Sequence, residues 1–369
     1  MEKIQEILNN GLEKYEREHK IIGYKKKVMH AIKECKTGAI GAHKYVCDEC
    51  GYEEIAYNSC RNRHCPNCQT GKKLKWIEAR KEVLNIKYYH IVFTIPSELY
   101  SISLQNQEKM YKILFKASAE TLQMLAKDKK YLGGEIGFFS ILHTWGQNLM
   151  YHPHVHLVVT GGLTEINTWK EKEEEFFIPV KVMSRVFRGK FIDYMKKEKI
   201  KFYGKNKDLE NPSIYNNLIQ SLYNKEWIVY CKEPFKNEKC VIQYLGRYTH
   251  RVAISNERIL KIEGEEVTFK WRDYKDNNKM KEMTISIEEF IRRFLLHILP
   301  PCFMKIRYYG ILGNRNKKKK LLKCKILTRT KIYIKKQLPT LELLKQTLGK
   351  DFNLCPHCKK GHMLIPNTT

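Results

Sequence analysis

Three groups of side chains in this chain stand at spacings that could do chemistry, and the first is a run of histidines. In His152-Pro153-His154-Val155-His156 the alternation of an extended strand sends the three imidazoles to one face and Pro153, Val155 and Leu157 to the other. Two histidines at i, i+2 on an apolar strand are costly to bury unless they share a ligand, so His154 and His156 point to a metal ion. The strand-like run GFFSILHTW, residues 137–145, should pair with this one as a hairpin. A turn centred near residues 148–149 sets His143 opposite His154 or His156 and makes it a candidate third ligand. Gln243 is the other candidate.

The second group is Tyr244 and Tyr248, which i, i+4 spacing places on one face of a helix, one turn apart, with Arg247 and Arg251 as a matching pair beside them. Tyrosines so spaced often do no more than pack. A neutral phenol, with a pKa near ~10, is a poor nucleophile. Where a metal ion and arginines neutralise a phosphate, a transient phenolate becomes a good one toward phosphorus.

The third group is sulfur. Cys47-x2-Cys50 and Cys65-x2-Cys68 are two knuckles with fourteen residues between them, close to the spacing of structural zinc sites. Cys35, His43, Cys60 and His64 interleave with them, which makes eight possible ligands and enough for two tetrahedral ions. The set leaves no obvious open position for catalysis, so the zinc is expected to be structural. Arg61, Arg63 and Lys72, Lys73 and Lys75 surround the knuckles and make DNA contact by this module plausible. Cys355-Pro-His-Cys358 reads as half of another zinc ribbon, with His362 nearby, Cys324 as one conceivable addition and no evident partners.

These residues need elements to position them. Residues 1–34 show helical periodicity and should form one or two amphipathic helices ahead of the cysteine block, with a further helix near 71–85. The aromatic and β-branched run YYHIVFTIP (88–96) reads as a buried strand, and 98–130 as helical. Gly161 and Gly162 are expected to end the histidine strand. Acidic and basic runs around a helix at 180–197 suggest that 169–210 is a surface insertion. A strand at WIVYCKEPF, a helix from about Asn237 carrying the tyrosines, a β-rich stretch turning at Glu263-Gly264 and a helix at 286–298 follow. The expected class is α+β: a helical and zinc-binding DNA-recognition domain (1–86), a second domain with a central, mainly antiparallel sheet (87–312) and a basic tail with the C-terminal Cys-x2-Cys (313–369).

Composition bounds the setting. The 369 residues carry 68 Lys+Arg against 40 Asp+Glu, 68 − 40 = +28, which points to a polyanionic partner. With 43% hydrophobic residues the chain can bury real cores, and no apolar stretch approaches the ~18–20 residues of a membrane span. The first twenty residues lack the apolar core of a secretory signal, so the expected location is cytoplasmic, where cysteines serve metals more often than disulfides.

Five segments together resemble one known family: SCRNRHCPNCQ, YYHIVFTIP, LHTWGQNLMYHPHVH, YLGRYTHRVAISN and IRYYGILGNR. The chain resembles the two-tyrosine HUH transposases of the insertion-sequence-ninety-one type, which move by a rolling-circle route, and the resemblance spans nearly its whole length. It implies that His154-Val155-His156 is the His-hydrophobic-His motif holding Mg²⁺ or Mn²⁺, and that Tyr244 and Tyr248 are paired nucleophiles. One tyrosine would attack single-stranded DNA at an element end, keep the 5′-phosphate as phosphotyrosine and free a 3′-OH, while the other serves the target DNA. No Walker-A loop is present, so a helicase would come from the host. The rival readings are a non-catalytic, zinc-dependent DNA-binding regulator and a metal-dependent nuclease that hydrolyses with water.

Overall fold

The computed structural model describes residues 2–69, 72, 84, 86–171, 178–235, 251–274, 276–315, 317–330, 339, 342, 345–346, 349 and 351–366. Helices α1 (Lys3–Glu18) and α2 (Gly23–Lys33) form where apolar residues recur every three to four positions, and α1 buries Ile4, Ile7, Leu8 and Leu12 on one stripe. A short hairpin follows, β1 (Ala42–Cys47) with β2 (Glu53–Tyr57). Strand β3 (Tyr88–Thr94) leads into α3 (Tyr100–Gln105) and α4 (Gln107–Lys127). Then come β4 (Glu135–Trp145), β5 (Tyr151–Leu163), β6 (Trp169–Lys170), α5 (Val180–Lys197), α6 (Pro212–Asn224) and β7 (Val229–Phe235). The meander β8 (Ile259–Glu263), β9 (Glu266–Asp273) and β10 (Lys279–Ser286) precedes α7 (Ile287–Leu296), β11 (Ile306–Gly310), α8 (Lys317–Leu327) and β12 (Met363–Leu364). The fold class is α+β.

The central sheet runs β11-β4-β5-β3-β7, with β6 on β5, and every pairing in it is antiparallel. Both of its faces are covered. On one, Phe115 of α4 and Phe187 and Phe191 of α5 meet Ile91 and Phe93 of β3 and Leu157 of β5. On the other, Phe139, Ile141 and Val158 meet Ile311 together with Leu321 and Cys324 of α8. Two-sided burial is why β3 and β4 read as unbroken apolar runs instead of alternating ones.

Two features differ from the sequence expectation. Residues 169–210 do not form a surface insertion, because α5 lies inside them and buries Met183, Phe187 and Phe191 at i, i+4, i+8 in the main core. The flanking charge runs hid that stripe. Nor do Gly161 and Gly162 end β5, which continues to Leu163. Glycine is needed there because a Cβ on Gly161 would lie 2.6 Å from the Lys170 carbonyl oxygen and one on Gly162 2.6 Å from Leu132 Cδ2.

The cores cross the segment boundaries expected from sequence. Residues of α1 and α2 share one core with Phe269 of β9, Phe290 and Ile291 of α7 and Trp145 at the end of β4. Near the other end of the chain, β12 pairs with β1. No helix among the described residues is long and apolar enough to cross a membrane.

Candidate metal centres and active site

The β4–β5 hairpin sets His143 directly opposite His154 and Ile141 opposite His156. Three ring nitrogens, one from each of His143, His154 and His156, consequently lie within 4.8 Å of one another. The ring of His143 sits 4.6 Å from that of His156 and 5.6 Å from that of His154, centroid to centroid. His154 Nε2 and His156 Nε2 are 3.0 Å apart.

Hydrogen bonds around the rings decide which nitrogens face inward. His154 Nδ1 lies 2.7 Å from the His152 carbonyl oxygen, which can only accept, so in the neutral ring Nδ1 carries the proton and Nε2 a lone pair. His156 Nδ1 lies 3.0 Å from His90 Nε2. When His156 donates there, two Nε2 lone pairs point at one another, an arrangement that a shared cation stabilises. Burial keeps the rings neutral: it holds His154 down at about 3 and His156 well below its ordinary value, and the Arg251 charge adds to both effects. The donor set fits a divalent ion.

His90 and Lys305 are contributors that the sequence reading missed. The signal for His90 was a lone imidazole in the apolar run of β3, where burial pushes it down to about 3. It orients His156. Lys305 precedes β11, and its Nζ donates to the Arg251 carbonyl at 2.7 Å and lies 5.1 Å from the centre of the Trp145 ring. That ring stacks on His143 at 4.7 Å. Burial first, then the charges of Arg63 and Arg251, pull the Lys305 ammonium down to about 7. Positive groups gathered beside a metal-ligand set create a potential that draws a phosphate.

Other predicted residues fall elsewhere. Tyr244, Tyr248, Arg247 and Gln243 lie outside the described residues. Arg61 is exposed, with its carbonyl accepting from Lys72 Nζ at 2.6 Å. Arg63 instead forks onto the carbonyls of Phe303 and Pro300, at 2.5 and 2.7 Å, and so fastens the cysteine block to the loop before β11.

The cysteines form two clusters of four, paired differently from the sequence expectation. Cys65 and Cys68 gather with Cys35 and Cys60, with Cys68 Sγ 3.6 Å from both Cys35 Sγ and Cys60 Sγ. The hydrogen bond from Cys65 pulls the Cys60 thiol down to about 5, toward the thiolate a metal needs. Cys47 and Cys50 gather with Cys355 and Cys358. Neither histidine of the block joins a cluster: His43 is exposed on β1 opposite Ala56, and His64 Nε2 accepts the Leu299 N–H at 3.4 Å. Cys324 is buried against the central sheet.

Comparison with known proteins gives a consistent result. Residues 7–95 match a family model described as "Transposase zinc-binding domain", and residues 137–320 one described as "Putative transposase". The chain is 42% identical to "Putative transposase y4qJ" of Sinorhizobium fredii, over 98% of this chain and 94% of the relative. It is 30% identical to "Transposase for insertion sequence element IS801" of Pseudomonas savastanoi pv. phaseolicola, over 76% of this chain and 68% of the relative. No solved structure matches.

Proposed function

The chain belongs to the IS91-type transposases with an N-terminal zinc-binding domain, and on that premise we propose that it nicks and rejoins single-stranded DNA at element ends through tyrosine. The observation that best supports this is the three-histidine cluster, with the Nε2 atoms of His154 and His156 3.0 Å apart and the Arg251 charge acting on both rings. His143, His154 and His156 would hold Mg²⁺ or Mn²⁺. Bound there, the ion would supply Lewis-acid polarisation of the scissile phosphate.

The chain's own groups do the rest. Arg251 neutralises the incoming phosphate, whose negative charge in turn favours the protonated form of Lys305. The phenolic oxygen of Tyr244 or Tyr248 attacks phosphorus, the P–O3′ bond breaks, and the 3′ oxygen leaves as a hydroxyl with the proton the phenol loses. The 5′-phosphate stays on tyrosine. Attack by a 3′-OH on that phosphotyrosine reverses the step and joins the strands, so the bond energy is conserved and ATP is not required. The second tyrosine serves the target strand. The cysteine block, with Cys35, Cys60, Cys65 and Cys68 around a structural zinc, recognises the ends, and a host helicase separates the strands.

Covalent capture tests the reading. A labelled single-stranded element end incubated with protein and Mg²⁺ should leave DNA on Tyr244 or Tyr248, located by peptide mapping. Tyr244→Phe with Tyr248→Phe should lose all adduct, because the substitution deletes only the nucleophilic oxygens. Cutting without adduct would favour the water-hydrolysing nuclease, and binding without cutting the regulator.

A further inference from the structure

Cys50 and Cys355 are 305 residues apart in the chain, yet their sulfurs are 3.7 Å apart, and the four sulfurs of Cys47, Cys50, Cys355 and Cys358 lie within 4.8 Å of one another. The two Cys-x2-Cys turns are built alike. Gly51 N–H donates to the Cys47 carbonyl at 3.2 Å and Lys359 N–H to the Cys355 carbonyl at 3.0 Å. The residue after each second cysteine is left-handed, with φ +68° at Gly51 and +57° at Lys359. Two matching turns therefore present their sulfurs to one point.

Backbone contacts draw the turns together. His362 N–H donates to the Asp48 carboxylate at 2.7 Å, and Asp48 N–H to the His362 carbonyl at 3.1 Å. Gly361 N–H donates to Cys358 Sγ at 3.3 Å. A Cβ on Gly361 would lie 2.6 Å from Cys47 Sγ and 2.5 Å from Asp48 Oδ1, so only glycine lets the turns close.

Apolar burial does not account for this assembly. The buried cluster of the sheet β12-β1-β2 is Cys47, Cys355 and Met363, and every residue of β2 is exposed. Ordering each residue of these strands and turns costs backbone entropy, more in total than three buried side chains return.

We propose that these four thiolates bind a second structural zinc, which clasps residues 351–366 onto the β1–β2 hairpin and makes the C-terminal segment part of the zinc module. Four sulfurs in tetrahedral reach are the donor set of a closed structural zinc site. The C-terminal half of the site lies beyond both matched segments, 7–95 and 137–320. The inference does not rest on the transposition chemistry.

Metal counting on the full chain tests it. Wild-type protein prepared without chelator and held in excess Mg²⁺ should release two zinc ions to p-hydroxymercuribenzoate, which attacks thiolates and not histidines. Release of a single ion, or of iron, would overturn the proposal. Cys355→Ser with Cys358→Ser should lose one zinc ion of the two. Hydrogen exchange in that variant should speed up at Asp48, whose N–H donates to the His362 carbonyl, and stay unchanged in β4, and unchanged protection at Asp48 would refute the clasp. Cobalt substitution guards against misfolding: wild type should show thiolate-to-cobalt charge transfer for two tetrahedral sites, and a spectrum of one site would count against it.

Discussion

The histidine centre and the cluster of Cys47, Cys50, Cys355 and Cys358 each gather potential metal ligands, yet they are held in opposite ways. His143, His154 and His156 stand on two central strands with helices on one face of the sheet and a second core on the other, so apolar packing positions them before any ion arrives. The β1–β2–β12 sheet has three residues in its buried cluster, two of them cysteines. The contrast separates two uses of metal. Under the proposed function the first site would use ion binding for chemistry, and under the proposed clasp the second would turn ion binding into folding free energy.

The sharpest way to break this comparison is a double dissociation. His154→Ala with His156→Ala should reduce cleavage of a single-stranded end to background while DNA affinity and the far-ultraviolet circular dichroism stay near wild type. Loss of the fold in that variant would show that the centre is not preorganised. In the opposite direction, Cys50→Ser should release zinc and loosen the β1–β2–β12 sheet, since structural zinc contributes ~10–16 kcal/mol in small fingers. Hydrogen exchange should rise in β1 and β2 and not in β3–β5.

Smaller effects sharpen the picture. His90→Gln should weaken the divalent ion at the histidine centre by about 10–100-fold, as loss of an orienting partner does, while zinc content is unchanged. Isothermal titration with Mn²⁺ would read it.

His297 links α7 to the hairpin tip, with Nε2 2.9 Å from the Leu149 carbonyl and Nδ1 3.3 Å from Thr144 Oγ1. Burial holds it at about 4 against an unfolded value near ~6.5. The unfolded chain takes up the proton first, so its contribution is intact above about pH 6.5 and is lost as pH falls toward 4, by at most ~3 kcal/mol. Urea midpoints across that window should decline less steeply in His297→Gln.

The least effect concerns the basic run at 317–320. Lys320 is already engaged, its Nζ 2.7 and 2.8 Å from the two Glu135 oxygens. Lys320→Ala should cost no more than ~1 kcal/mol and leave the salt dependence of DNA binding unaltered, whereas Lys318→Ala with Lys319→Ala should flatten it.

What the sequence by itself determined is what local geometry dictates. Strand alternation placed His154 and His156 on one face through its two-residue side-chain period, and a hairpin centred near residues 148–149 set His143 opposite His154 or His156, of which the fold pairs it with His154. Helices α1, α2 and α7 were legible from their apolar stripes for the same reason. Tertiary structure alone decided the partners. Every cysteine offers the same sulfur, so spacing tied Cys47 and Cys50 to the nearest knuckle in the chain, while the fold brought them to Cys355 and Cys358. An apolar stripe states that it will be buried and not against what, which is why α5 read as a surface helix and α1 gave no sign of its contact with α7. His90 and Lys305 stayed hidden on the same ground, since a single buried imidazole or ammonium acquires its role only from the neighbours that the sheet sets beside it.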